Sequence, residues 1–166
     1  LKVEIWFEQY ADAVYKYILM IVKEHQLAED LTQDTFIKAF TNANQFQEQS
    51  EVKTWLFRIA YTTTMNYFRK KHPIVMLFGA PIATKSLEDI VIEQEELRQL
   101  FKAISALKTS YQQVIVLRKV QQFTVKETAA VLGWSEGKVK MQLMRALKSL
   151  HQQMEEQGGM QDENYI

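Results

Sequence analysis

The sequence predicts an all-α protein in two helical parts joined by a linker. Three observations carry that expectation. Apolar residues recur at helical spacing nearly everywhere, while strict alternation is hard to find. Cap-type residues, among them Thr54, Ser86, Thr124 and Ser135, stand where the periodic runs begin. The stretch "PIVMLFGAPIAT", Pro73 to Thr84, breaks the pattern with two prolines and a glycine. With 166 residues, 47% of them apolar, the chain can bury one ordinary core or two small ones.

The elements follow in order. Ile5, Phe7, Tyr10, Val14, Tyr17, Ile18 and Ile21 give a long first helix a wide apolar face. A second helix runs from about Leu27 to Ala43, with Leu31, Phe36, Ile37 and Phe40 on its apolar side. Thr54 caps a third, which contains Trp55, Leu56, Ile59, Ala60, Met65, Tyr67 and Phe68, and Pro73 closes that block. Ser86, followed by Glu88 and Asp89, starts a helix reaching about Leu107, and a shorter one spans Ser110 to Gln121.

The last block, "FTVKETAAVLGWSEGKVKMQLMRALKSL" from Phe123 to Leu150, reads as a helix-turn-helix. Thr124 and Glu127 form a capping-box pattern, Gly133 supplies the left-handed position that ends the first helix, and Ser135 caps the second. Val125, Ala129 and Leu132 are expected to pack on Val139, Leu143 and Leu147, leaving Lys138, Lys140, Gln142 and Arg145 outward. In such a motif the first turns of the second helix reach base edges while neighbouring cations hold phosphates. The acidic tail, Glu155 to Glu163, is expected to be disordered.

Net charge is zero, yet it averages over a divided molecule. Glu4, Glu8, Asp12, Glu24, Glu29, Asp30 and Asp34 make the first two helices acidic, and Glu88 to Glu96 is acidic again. Lys53, Arg58, Arg69, Lys70, Lys71 and Lys85 fill a stretch without acids, and Arg118 to Lys148 holds seven basic residues against two acidic ones. The alternation points to two nucleic-acid contacts and at least one protein contact. In the third helix, aromatics interleave with cations, a pattern suited to unpaired strands because bases stack on rings while cations track phosphate.

Several function classes are excluded or disfavoured. There are no cysteines, so disulfides and thiolate zinc sites are out, and a reducing compartment fits. His25, His72 and His151 are far apart in sequence, so no metal or cofactor is expected. The longest apolar run, "YILMIV", is far too short to span a bilayer, and no basic-then-apolar leader precedes it, so a cytoplasmic protein with no membrane insertion is expected. Glycine-rich phosphate loops are absent and no nucleophile with its base stands out, so the chain is not read as an enzyme.

"AEDLTQDTFIKAF" (Ala28 to Phe40), "FQEQSEVKTWLFRIAYTTTMNYFRKK" (Phe46 to Lys71) and the terminal helix-turn-helix, in that order, resemble an extracytoplasmic-function sigma factor of the bacterial sigma-70 family. A helix-turn-helix alone is common; all three blocks at these separations are not. The resemblance implies region 2 over 1–72, a linker over 73–87, region 4 over 88–154 and a tail over 155–166. It implies that Asp30, Gln33, Asp34 and Phe36 bind the clamp helices of the largest subunit of core RNA polymerase, and that the flap of the second-largest subunit is a further partner. Phe46, Gln47, Ser50 and Lys53 on a loop side, with Asn66, Arg69 and Lys70 on a helix, are implied to recognise and melt the promoter −10 element around a flipped base. Ser135, Glu136, Lys138, Lys140, Met141 and Arg145 are implied at the −35 element.

The chain departs from the family at Glu48, where the loop often has glycine, and at Lys138, Met141 and Gln142 in the recognition helix, so promoter preference does not transfer. The linker stretch "IVMLFGAPIA" is too apolar for a free tether and is expected to dock, on the chain itself or on a partner such as the polymerase or an anti-sigma factor. The alternative function is a stand-alone helix-turn-helix regulator, which predicts a dimer on palindromic sites.

Overall fold

The structure is a computed structural model that describes residues 2–46, 51–78 and 92–163; for 78 and 159–163 the backbone alone is described. Eight α-helices are seen among these residues: α1 (Lys2–Val22), α2 (His25–Thr41), α3 (Val52–Lys71), α4 (Pro73–Phe78), α5 (Glu95–Ser105), α6 (Thr109–Ile115), α7 (Val125–Leu132) and α8 (Glu136–Glu163). A 3₁₀ turn at Ala43–Gln45 follows α2, and a π-helical turn at Val116–Val120 continues α6. No strand occurs among the described residues.

α1, α2 and α3 pack around Val14, Tyr17, Ile18, Leu31, Phe36, Leu56, Phe57, Ala60 and Phe68. The apolar periodicity of α1 is only partly used for this core, because Ile5 and Phe7 stay exposed. Ile37 and Phe40 of α2 are exposed likewise, contrary to the expectation that they face inward. The first three helices present more apolar surface than their own packing can bury. Thr54 is not the cap of α3: the helix begins at Val52 after Glu51, and Thr54 is buried in its first turn.

Pro73 does not end the helical chain. His72 leaves the helical region for one residue and Pro73 opens α4, a position where its missing N–H costs nothing. Val75 and Met76 pack on the α1–α3 cluster, so this part of the apolar linker does dock, while Ile74 and Leu77 remain exposed. Ser86, Glu88 and Asp89 lie outside the described residues; the helix they were expected to start begins at Glu95.

α5 to α8 enclose a second cluster of Ile104, Leu107, Val114, Ile115, Ala129, Val139 and Ala146. Both halves of the capping box are present: Glu127 N–H donates to Thr124 Oγ1 at 3.1 Å and Thr124 N–H donates to Glu127 Oε1 at 2.9 Å. Gly133 takes φ 69°, the left-handed cap, and Ser135 Oγ accepts from Lys138 N–H at 3.1 Å. The helix-turn-helix packing differs in three side chains, of which Gln142, expected outward, is half-buried with its Oε1 shielded from solvent. Leu132 turns to the α1–α3 cluster and Leu147 is exposed, with Ala146 taking the buried place on α8. α8 is helical as far as Glu163, and within it His151 pairs with Glu155 one turn on at 3.0 Å.

The two clusters meet along a seam. Tyr17 Oη donates to Gln113 Oε1 at 2.5 Å, and Gln121 Nε2 donates to the Ala13 carbonyl at 3.3 Å. Lys23 ends α1 with φ 60°, is 4% exposed, and donates to Gln112 Oε1 at 3.0 Å. Burial without a charged partner at that bond lowers its pKa from 10.5 to about 8.

Between those two values the unfolded chain holds more protons at this site than the folded one, so stability rises with pH; below about 8 the amine is charged in both states and its full desolvation cost is present. Urea unfolding should therefore show a gain of roughly 2 kcal/mol between about pH 7.5 and 9.5. Lys23→Met should be more stable at the lower pH and should lose that slope; an unchanged slope would assign it to other groups.

Candidate polymerase and nucleic-acid interfaces

Three surfaces carry the residues singled out by sequence. The first lies on α1 and α2. Phe7, Gln33, Phe36, Ile37 and Phe40 line a shallow groove of about 360 Å³, with Phe7 and Phe36 edge to face at 5.0 Å. Ile37 is 62% exposed and Phe40 68%, values unusual for large apolar side chains on a surface that contacts nothing. Phe36 is mostly buried and forms the floor of the groove. Asp30 and Asp34 are exposed one turn apart on α2, and Asp30 Oδ1 accepts from Gln26 Nε2 at 3.0 Å. An apolar groove on an acidic face fits an amphipathic helix flanked by basic residues. The contributions of Phe7, Ile37 and Phe40 escaped the sequence reading because their periodicity is that of a buried face.

The second surface is α3 and the turn before it. Phe46 is half-buried against Trp6 at 5.5 Å and Trp55 at 5.1 Å, an aromatic cluster that fixes the start of α3 to α1. Gln47, Glu48 and Ser50 lie outside the described residues. At the far end of α3, Arg69 Nη1 donates to Asn66 Oδ1 at 2.7 Å, and Asn66, Arg69 and Lys70 are exposed. Lys53 is not beside them: thirteen residues separate it from Asn66, about 20 Å of helix. Of the described residues that the resemblance implies at the −10 element, Lys53 thus lies at the start of α3 and Asn66, Arg69 and Lys70 at its far end.

Between those ends stand Arg58 and Tyr61, with the guanidinium 5.8 Å from the ring centroid. Burial raises the Tyr61 hydroxyl pKa above its ordinary value, opposed by the charges of Arg58 and Arg69. Arg58 was legible only as one cation in a basic stretch. Nothing in its spacing told which way it faced.

The third surface is the start of α8. Ser135, Glu136, Lys138, Lys140, Met141 and Arg145 are all exposed there, and Ser135 also anchors the helix start through its bond from Lys138. Lys138 Nζ sits 4.5 Å from the Trp134 ring, which holds the cation at the helix entrance. Lys140 and Arg145 extend freely into solvent. The arrangement can offer cations to phosphates and short polar and apolar side chains to base edges, as a recognition helix does. No group of three or more acidic or histidine side chains able to hold a metal is found among the described residues, and none of the helices searched is long and apolar enough to cross a membrane.

The comparisons with known proteins agree with this division. Sigma-70 region 2 matches residues 6–73 and Sigma-70 region 4 matches residues 97–150. RNA polymerase sigma factor YlaC of Bacillus subtilis is 31% identical over 161 residues, covering 92% of this chain and 91% of that one. The ECF RNA polymerase sigma factor SigX of the same organism is 29% identical over 161 residues, covering 92% and 83%. Among solved structures, the sigma factor RpoE of Bartonella quintana, in complex with the anti-sigma factor NepR, superposes with a TM-score of 0.77 at 26% identity, covering 92% of this chain and 96% of that one. A stand-alone helix-turn-helix regulator would leave the match over residues 6–73 unexplained. With both sigma-70 regions present in order and a groove, a cationic helix and a recognition helix on them, the chain belongs to the extracytoplasmic-function group of the sigma-70 family of RNA polymerase sigma factors.

Proposed function

We propose that this chain is an alternative sigma factor that docks on core RNA polymerase through the α1–α2 groove and reads promoters with α3 and α8. The observation that carries the reading is the exposed apolar groove of Phe7, Phe36, Ile37 and Phe40 beside Asp30, Gln33 and Asp34. Asp30, Gln33, Asp34 and Phe36 among them are the residues the resemblance implies at the clamp-helix contact, and a DNA-binding regulator has no use for such a groove. Phe46, Lys53, Asn66, Arg69 and Lys70 supply the −10 contacts, and Ser135, Glu136, Lys138, Lys140, Met141 and Arg145 the −35 contacts. The chain contributes binding rather than bond-making chemistry: unstacking a promoter base costs a few kcal/mol, which binding must offset.

Control by an anti-sigma factor is supported by the likeness to RpoE, whose structure holds NepR. The domain division of region 2, linker and region 4 is supported by the two matched segments. Run-off transcription with purified bacterial core polymerase on pooled promoter fragments should give new start sites only when the chain is added. A core enzyme that neither binds the chain nor gains initiation would refute the reading.

A further inference from the structure

Where α3, α4 and α6 meet the turn before α8, the side chains leave a partly enclosed cavity of about 160 Å³. Tyr61 and Trp134 supply aromatic walls, Met65 and Met76 supply thioethers, and Ser110 and Gln113 supply polar groups. Tyr61 and Met65 belong to the first sigma-70 region, Ser110, Gln113 and Trp134 to the second, and Met76 lies between them. The α1–α2 groove and the exposed cations at the end of α3 have no part in it.

Gln113 is the group that the fold leaves unfinished. Its Oε1 accepts from Tyr17 Oη at 2.5 Å, which commits that half of the amide. Its Nε2 has no hydrogen-bond partner among the described residues, in a side chain only 2% exposed. An amide N–H buried in this way carries a desolvation penalty that nothing offsets. The next residue back does not share the fault: Gln112, equally buried, accepts from Lys23 Nζ at 3.0 Å and donates to the Leu107 carbonyl at 2.6 Å.

The walls select what can fill the cavity. Its volume suits a single ring, since an apolar cavity of ~150 Å³ holds benzene. Aromatic faces and methionine sulfurs favour a flat ring. No acidic, basic or histidine side chain lines the cavity, so an ion would lose its hydration without gaining a counter-charge. An unspent N–H calls for an acceptor, which a carbonyl oxygen supplies, and the half-buried Ser110 hydroxyl can serve the rest of the same polar group.

We propose that this cavity is a binding site for a neutral, single-ring aromatic carbonyl compound, whose oxygen accepts from Gln113 Nε2 while its ring lies among Tyr61, Trp134 and the two methionines. None of these residues is among those assigned above to polymerase or promoter. Trp134 nevertheless links the site to the recognition helix, because Lys138 Nζ lies 4.5 Å from its ring centroid. A small molecule therefore has a place to act on this chain without competing for either macromolecule.

Benzamide is the probe, with benzoate as its anionic counterpart and toluene as a ring without an acceptor. The full chain, isotope-labelled on nitrogen, gives one indole N–H resonance for each of its three tryptophans, and Trp134→Phe identifies the one that reports on the cavity. Trp6 and Trp55 sit in the aromatic cluster with Phe46 and serve as internal controls. Benzamide should shift the Trp134 resonance saturably and leave the other two in place, with benzoate and toluene binding at least about tenfold more weakly. Ser110→Phe, which grows a ring into the cavity, should abolish the shift. Tyr17→Phe with Gln113→Met removes both partners of the buried hydrogen bond, so that no hydroxyl is orphaned, and should bring benzamide down to the affinity of toluene. Circular dichroism checks that each variant is folded; if one unfolds, the other carries the test.

A Trp134 resonance that stays in place, or drifts without saturating, overturns the proposal. So does toluene binding as tightly as benzamide, the mark of an unselective void, or benzoate binding as tightly, the mark of an anion site. A shift that survives Ser110→Phe puts the ligand elsewhere, and a double variant that still prefers benzamide removes Gln113 from the site; either result overturns the proposal as well.

Discussion

Ile37→Glu and Phe40→Ser, made together, are expected to weaken association with core RNA polymerase on the order of a hundredfold while leaving thermal unfolding unchanged. The two side chains are among the most exposed large apolar residues of the protein, so removing them takes little from the fold. They also form the rim of the one groove where Phe7 and Phe36 lie edge to face and where Asp30 and Asp34 supply charge. Apolar anchors at the centre of an interface carry most of its free energy, whereas the surrounding carboxylates steer encounter and set salt dependence. Asp34→Asn should therefore cost much less than the apolar pair and should flatten the salt dependence of binding. Competition binding with labelled core polymerase measures both. An apolar double variant that binds like the parent would place the polymerase contact elsewhere.

Phe57→Ala is expected to have the largest effect on stability, about 3–5 kcal/mol, the usual cost of deleting a fully buried ring. Phe57 is fully buried and touches both sides of the seam, lying 5.2 Å from the Tyr17 ring and 4.9 Å from the Phe123 ring. The loss should appear in urea unfolding followed by the fluorescence of Trp6 and Trp55, which report on the α1–α3 cluster. The same substitution should also loosen the seam, since the Lys53 and Phe123 contacts lose the ring between them. A cost below about 1 kcal/mol would mean that the cavity collapses and that the ring is not a keystone of the shared core.

Much of the site was legible because it depends on short-range rules. The capping box of Thr124 and Glu127, the left-handed Gly133 and the Ser135 cap are decided within four residues, and each stands as the pattern of side chains requires. Charge segregation was equally readable, since Lys138, Lys140 and Arg145 need only a helix with an exposed face. Thr54 shows the limit of the same reasoning: a cap-type residue near a helix start became a buried first-turn residue when packing moved the boundary three positions, from Thr54 to Glu51. Pro73 shows another, because a proline that ends one helix is equally suited to begin the next.

By itself the sequence determined that this protein is helical, that it ends in a helix-turn-helix, where its acids and bases segregate, and to which family it is similar. Those properties are set by local spacing and side-chain chemistry. The tertiary structure alone decided which apolar residues face solvent and which cations are already engaged. Periodicity marks a face as apolar but cannot say whether the protein's own core or a partner covers it, so Ile37 and Phe40 are outside while Leu132 is drawn into a neighbouring cluster. Likewise a basic residue is a candidate for phosphate until packing supplies another acceptor. Arg58 meets the Val131 carbonyl across 73 residues of chain, a separation over which no local rule acts.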